Sequence, residues 1–320
     1  MSPPGELVTP KGLWDPPIVT GSAGGMSGLR AATRGSRLAR LQTDLVAGLL
    51  GVEVEQLVVD TQGDRRTDVP ISELGGRGVF VKEVQTAVLE GRADFAVHSA
   101  KDLPSSTPDG LTIAAVPERA DARDALVGQR LDSLPPGARI GTGSVRRRAQ
   151  LAWLRPDLTF AGLRGNMDTR LSKAGGFTAI VVAAAALERL GRTAEATEIL
   201  PAGVMVPQVG QGALAVECRA DDDATLAVLA AIEHGPSRRA VDAERAWLAE
   251  VGGGCDLPVG AHATVDRAGR ITLTAIIGTA DGRVVLRDTD EGDDPGELGR
   301  RLARHLLDDA GGSSLLEDLR

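Results

Sequence analysis

The chain contains no tyrosine and only four phenylalanines and three tryptophans, so the aromatic platforms on which single-stranded nucleic acid stacks are nearly absent. Cysteine is as scarce. Cys218 and Cys255 alone make neither a disulfide framework nor a C-x-x-C metal pair, and a reducing cytoplasm is the expected compartment. The longest uninterrupted apolar run, 179–187, falls far short of the roughly 18 residues that a membrane span needs. Positive charge is in deficit, with 36 basic against 44 acidic residues and a net charge of -8. That balance argues against a general binder of nucleic acid or anionic membranes, so any basic site has to be local. The first 29 residues hold five prolines and six glycines without the basic-then-apolar order of a secretory signal, and 1–28 reads as a disordered tail.

What is present fits a soluble globular protein. At 320 residues, with 42% hydrophobic and 25% charged positions, the chain can bury a sizeable core, and two or three domains are expected. Short apolar runs alternate with helical periods: 95–97 follows a helical pattern over 81–89, and 180–183 precedes one ending near Leu190. Such alternation predicts an α/β fold. A polar stretch over 121–136 with two adjacent prolines suggests a boundary near residue 120, after which a strand at 139–140 opens a second α/β unit. The run P-Q-V-G-Q-G at 207–212 interrupts the pattern before an apolar alternation over 213–216 that returns the chain to the first unit. A third unit starts near Pro236, with a helix over 241–251, a glycine-rich turn, a strand over 271–278 and a helix over 298–307. The acidic stretch 288–297 reads as a solvated loop. The expected organisation is a tail at 1–28, a first domain of 29–117 plus 213–231, a second of 121–208 and a third of 236–320.

Seven arginines, Arg139, Arg146, Arg147, Arg148, Arg155, Arg164 and Arg170, face only Asp157 and Asp168 in the segment 139–170. There I-G-T-G-S-V-R-R-R runs from strand through turn into a helix capped by Thr142 or Ser144, with an expected buried stripe of Val145, Ala149, Ala152 and Trp153. Three arginines then occupy the first turn, where the helix dipole disfavours each cation by ~0.3–1 kcal/mol. An anion bound at the free N–H groups and guanidinium forks reverses that effect; a solvated arginine face is the alternative. Arg164 and Arg170 flank a Gly165–Asn166 turn, for which a plain surface turn is equally open. Arg34 and Ser36 open another strand-to-helix turn, a weak signal alone.

In F-A-V-H-S-A-K-D-L-P, residues His98, Ser99, Lys101 and Asp102 gather past the carboxyl end of a strand, where open α/β sheets place ligands. Asp102 is expected to stabilise a cationic intermediate, with a salt bridge to Lys101 or a nearby arginine as the alternative. His98 lacks a second donor at ligand spacing, so it reads as structural and no metal site is expected. Adjacent strand side chains point to opposite faces, which excludes a triad built on Ser99 and His98. The glycine-containing connection 61–78 reads as a lid. Cys255, on a turn after three glycines, is open to a reactive or a structural reading. Cys218 continues an apolar alternation and reads as an inert buried thiol.

The combination R-G-S-R-L-A, G-G-R-G-V-F-V-K-E, A-V-H-S-A-K-D-L-P, G-T-G-S-V-R-R-R-A-Q-L, L-R-G-N-M-D-T-R, V-G-Q-G-A-L-A-V-E-C-R and E-V-G-G-G-C-D-L-P-V-G-A resembles the porphobilinogen deaminase (hydroxymethylbilane synthase) family, from about Leu29 to the final helix. The resemblance implies an α/β fold of two type II periplasmic-binding-protein-like domains with the active site between them, plus a smaller α+β C-terminal domain. It implies a transferase that deaminates four porphobilinogen molecules and adds them to a dipyrromethane cofactor held by Cys255 through a thioether. It further implies Asp102 as the catalytic group. Arg34, Ser36, Ser99, Lys101, Thr142, Ser144, Arg146, Arg147, Arg164 and Arg170 would contact substrate or cofactor, Phe80 would stack on a pyrrole, and Gln211 would line the cleft. A monomer without metal, nucleic-acid or membrane partners is implied as well. Arg37, Gln62, Ala100 and Gly143 depart from the family's usual residues, and Gly143 removes a hydroxyl whose hydrogen bond contributes about 1 kcal/mol. The rival reading is a non-enzymatic small-anion binding module on the same scaffold.

Overall fold

The computed structural model describes residues 28–61, 81–253 and 257–317. All but the last residue of the expected tail 1–28, nearly all of the expected lid, Gln62, Phe80 and Cys255 lie outside the described residues. Two of its three sheets are built alike. In the first, β1 (Leu29–Arg34) pairs in parallel with β2 (Val54–Val59) and β3 (Phe95–Ser99). Strand β10 (Leu214–Arg219) then runs antiparallel between β3 and β4 (Leu111–Ala115), giving the order β2-β1-β3-β10-β4. In the second, β6 (Arg139–Gly141) is parallel to β7 (Thr159–Ala161) and β8 (Ala179–Ala183), and β5 (Asp124–Gly128) runs antiparallel between β8 and β9 (Glu198–Leu200). The chain crosses from the first sheet to the second over 116–123, builds β5 to β9 there, and crosses back over 201–213 to add β10 to the first.

Helices cover these sheets, and the strands therefore read as apolar runs rather than as alternations. All five residues of β8 are buried, with Ala179 and Val181 in one core cluster and Ile180 and Val182 in another. The helices that matter for the cleft are α1 (Arg37–Leu50), α2 (Lys82–Leu89), α3 (Val145–Leu154), α4 (Met167–Ser172) and α5 (Ala184–Arg189). All but α2 follow a strand within a few residues. After α6 (Asp223–Leu229), α7 (Gly235–Val251) leads into an antiparallel sheet of β11 (Val259–Val265), β12 (Ile271–Gly278) and β13 (Val285–Gly292), followed by α8 (Pro295–Arg304). Trp247 of α7 is fully buried against Leu273, Leu298 and their neighbours.

The acidic stretch 288–297 is not a loop. Its first half belongs to β13 and its second half starts α8, with Asp294 as the cap accepting from Glu297 N at 2.6 Å. The alternating acids of β13 find partners on the next turns: Asp290 accepts from Arg301 Nε at 2.7 Å, and Asp288 lies 2.9 Å from His305 Nε2. The helix expected at 241–251 begins earlier, at Gly235, with a proline in its first turn. Among the described residues no helix is long and apolar enough to cross a membrane.

Candidate active site

The first wall of the cleft is formed by the carboxyl ends of β1 and β3. Ser36 caps α1, its Oγ accepting from Ala39 N at 3.3 Å. Beyond β3 the chain makes a single 3-10 turn, Ala100–Asp102, packed on Gly210. At φ +70°, with a Cβ there falling 2.9 Å from Ala100 C and Lys101 N, only glycine fits position 210. A recess opens here, lined by Arg34, Ser36, Gln42, His98, Ser99 and Asp102. The Ser99 hydroxyl is engaged by Gln42, whose Nε2 donates at 2.9 Å.

The second wall is organised by Asp124, fully buried at the start of β5. Its carboxylate accepts from Arg146 NH2 at 2.8 Å, Arg147 Nε at 3.0 Å and NH2 at 2.8 Å, and Gln211 Nε2 at 3.0 Å. Burial alone would raise this carboxyl, but Arg146 and Arg147 outweigh it and bring it down to about 2. This cluster reorganises α3. The helix buries Arg146, Arg147, Ala149, Gln150 and Leu151 and leaves Trp153 54% exposed. Of the expected apolar stripe only Ala149 is buried, while Val145 and Ala152 are partly covered and Trp153 is exposed, because a carboxylate behind the helix turns the arginine face inward.

Two expected contact residues change role on this geometry. Arg146 is 3% exposed, and its remaining guanidinium contact is the Val206 carbonyl at 2.6 Å. Gln211 is fully buried and bridges instead of lining: its Nε2 donates to Ala122 O at 2.7 Å, and its Oε1 accepts from Lys101 Nζ and Arg147 NH2 at 3.5 Å each. Through Gln211 the turn after β3 meets the start of α3. Ser144 is the cap of α3 and accepts from Arg147 N at 3.4 Å, while Thr142 Oγ1 accepts from Ser144 N at 3.1 Å. A hydroxyl used as an acceptor keeps its proton to donate, so Ser36, Thr142 and Ser144 each retain a donor. Gly143 lies so near Leu163 O that a Cβ would sit at 3.0 Å.

The charges converge across the gap. Burial and then Arg147 bring the Lys101 ammonium down to about 8, opposed by Asp102 and Asp124. Burial, then Arg147, bring Arg170 down to about 10, with Asp102 opposing and Arg164 assisting. Among the described residues neither cation forms an ion pair; Arg170 Nε donates to the Gly165 carbonyl at 2.8 Å. Arg189, which the sequence reading missed inside a helical pattern, behaves likewise. Burial lowers it to about 10, and its NH2 donates to the Gly212 carbonyl at 2.7 Å. Half-buried cations whose hydrogen bonds go to neutral oxygens have capacity left for anions.

A second carboxylate was not visible in sequence. Glu244 of α7, fully buried, accepts from Arg119 NH1 and NH2 at 2.6 and 3.2 Å, from Gly210 N at 2.7 Å and from Ala263 N at 2.8 Å. It therefore ties both crossings to the third unit. Cys218 is buried, and burial raises its thiol to about 11, which agrees with an inert group. Among the described residues no group of three candidate metal ligands occurs.

Residues 29–227 match the family "Porphobilinogen deaminase, dipyromethane cofactor binding domain", and residues 239–308 match "Porphobilinogen deaminase, C-terminal domain". The porphobilinogen deaminase of Brevibacillus brevis is 46% identical over 303 residues, covering 91% of this chain and 97% of that protein. That of Acidothermus cellulolyticus is 49% identical over 310 residues, with coverages of 92% and 93%. That of Roseiflexus castenholzii is 48% identical over 299 residues, with coverages of 90% and 98%.

Proposed function

The chain belongs to the porphobilinogen deaminase family, and from that premise we propose how its cleft performs the family's reaction. The enzyme is a transferase of tetrapyrrole biosynthesis. It deaminates four porphobilinogen molecules and joins them to a covalently bound dipyrromethane primer, releasing hydroxymethylbilane and ammonia. The observation that carries our reading of the site is the set of half-buried cations hydrogen-bonded to neutral oxygens, Lys101, Arg170 and Arg189. Pyrroles bearing acetate and propionate arms bring two carboxylates per ring, so the residues present fit the dipyrromethane group. Bound there, that group supplies a pyrrole with a free α-carbon as nucleophile.

In this reading Lys101, Arg147, Arg164 and Arg170, with Arg34 across the cleft, hold the carboxylate arms, and Ser36, Thr142 and Ser144 donate hydroxyl hydrogen bonds to them. Arg146 and Gln211 act behind them, keeping Arg147 and Lys101 in register through Asp124. Ser99 and Gln42 shape the recess. Asp102 accepts hydrogen bonds from pyrrole N–H groups and stabilises the cation left on porphobilinogen when ammonia departs; a fixed opposite charge in such a site acts at the moment positive charge develops. Attachment through Cys255 and stacking on Phe80 rest on motif position alone. The division into domains of 29–117 plus 213–231, 121–208 and 236–320 is supported by the presence of one sheet in each. A monomer in the cytoplasm completes the proposal, on the family resemblance.

The deciding experiment is the intact mass of the purified full-length chain. It is expected to exceed the sequence mass by two linked pyrrole units, to colour with Ehrlich reagent in acid, and to lose both signatures in Cys255→Ser. A bare chain with no deaminase activity would leave the anion-binding module as the better description.

A further inference from the structure

Strands β3 and β10 pair with His98 opposite Ala215 and Ala96 opposite Glu217. All four side chains share one face of the sheet, and Glu217 is the diagonal neighbour of His98. The small Ala215 leaves room for that diagonal. The register of β10 against β4 also shifts between Val216 and Glu217, an irregularity of the kind that re-aims a side chain beside a site. Glu217 Oε2 lies 3.1 Å from His98 Nε2, with both side chains at most 4% exposed, and Gln85 Nε2 from α2 donates to the two carboxylate oxygens at 3.1 and 2.9 Å.

A carboxylate is expensive to bury; besides Gln85 and His98, Glu217 is near Arg245 of α7, with which it interacts electrostatically. Its imidazole partner lines the same recess as Asp102, and Asp102 stands four residues beyond His98, on the turn that begins where β3 ends. We propose that Glu217 and His98 are positioning residues for Asp102. Gln85 orients Glu217, Glu217 fixes the ring of His98, and the ring holds the root of the 100–102 turn, whose other side is gripped by Gly210. The Asp102 carboxylate is thereby kept at one place in the cleft. This inference rests on the role assigned to Asp102 above.

The test uses the full-length holoenzyme in the variants Glu217→Gln, His98→Gln, His98→Leu, the Glu217→Gln/His98→Gln double and Asp102→Asn. The Glu217 and His98 variants are expected to carry the cofactor by mass and to keep KM for porphobilinogen within twofold, with kcat lowered at least tenfold. His98→Gln, whose amide can donate to Glu217, should retain more activity than His98→Leu. The double should be no slower than its slower parent, since residues acting as one unit are not additive. Native kcat in Glu217→Gln, a loss carried by KM, or losses that multiply in the double overturn the inference; should His98→Leu not fold, the glutamine variants decide. Full activity in Asp102→Asn removes the underlying reading, whereas an inactive Asp102→Asn beside a native Glu217→Gln removes the inference alone.

Discussion

Lys101 is charged at some expense to the fold. Its ammonium titrates near 8 in the folded chain, lowered by burial and Arg147 from 10.5. Between those values the unfolded chain holds a proton that the folded one has released, so stability rises with pH there, and at pH 7 the charge opposes folding. Lys101→Met is therefore expected to raise the melting temperature at pH 7 in calorimetry while raising KM for porphobilinogen about tenfold, the effect of ~1.4 kcal/mol. A melting temperature below wild type would contradict the burial argument. In the wild type, KM should climb above pH 8 as the ammonium is lost. For Asp102→Asn, kcat is expected to fall ~100–1000-fold, by analogy with removal of a single electrostatic stabiliser, measured under substrate saturation. At this scale the sequence is readable where cations stand at the turn after a strand or in the helix that follows it, as at Lys101 and Arg170. It is silent on Asp124, because a carboxylate 22 residues before Arg146 carries no local sign of its partners.

Helix α3 is the element in which local pattern and tertiary context disagree. Periodicity alone turns Trp153 inward, whereas the structure turns Arg146 and Arg147 inward; a buried ion pair with Asp124 outweighs one half-covered indole. Asp124→Asn should consequently cost ~3–5 kcal/mol, the range for breaking a buried pair, seen as an earlier midpoint in urea at pH 7. The pH dependence has a definite sign. The carboxyl titrates near 2 folded and 3.8 unfolded, so the stabilisation is complete above about 4 and is lost as pH falls through the folded value. Acid unfolding of Asp124→Asn should accordingly be less steep than that of wild type. The same kind of disagreement occurs in β13, where acids that look solvated in sequence face Arg301 and His305 on a helix not yet formed when the strand is read alone.

For the molecule as a whole, Glu244 is the point at which both crossings meet the third unit. Burial would raise its carboxyl, yet Arg119 and His262 bring it down to about 2. Glu244→Gln leaves Arg119 without its partner and is expected to split a single unfolding transition into two. Single-tryptophan versions reporting from Trp153 and Trp247 should then unfold at different denaturant concentrations, where wild-type probes coincide. The alternation of strands and helices was legible from apolar periods, and so was the return of the chain to the first unit over 213–216, but the place of that strand between β3 and β4 was not, because pairing partners about a hundred residues apart leave no periodic trace. That insertion governs synthesis on the ribosome. Strand β10 fills the slot between β3 and β4, so the amino-terminal lobe stays an unfinished pair of edges until residue 219 of 320 has cleared the exit tunnel. Over that interval the nascent chain exposes apolar strand edges that invite foreign pairing, and it is then that a chaperone has most to cover.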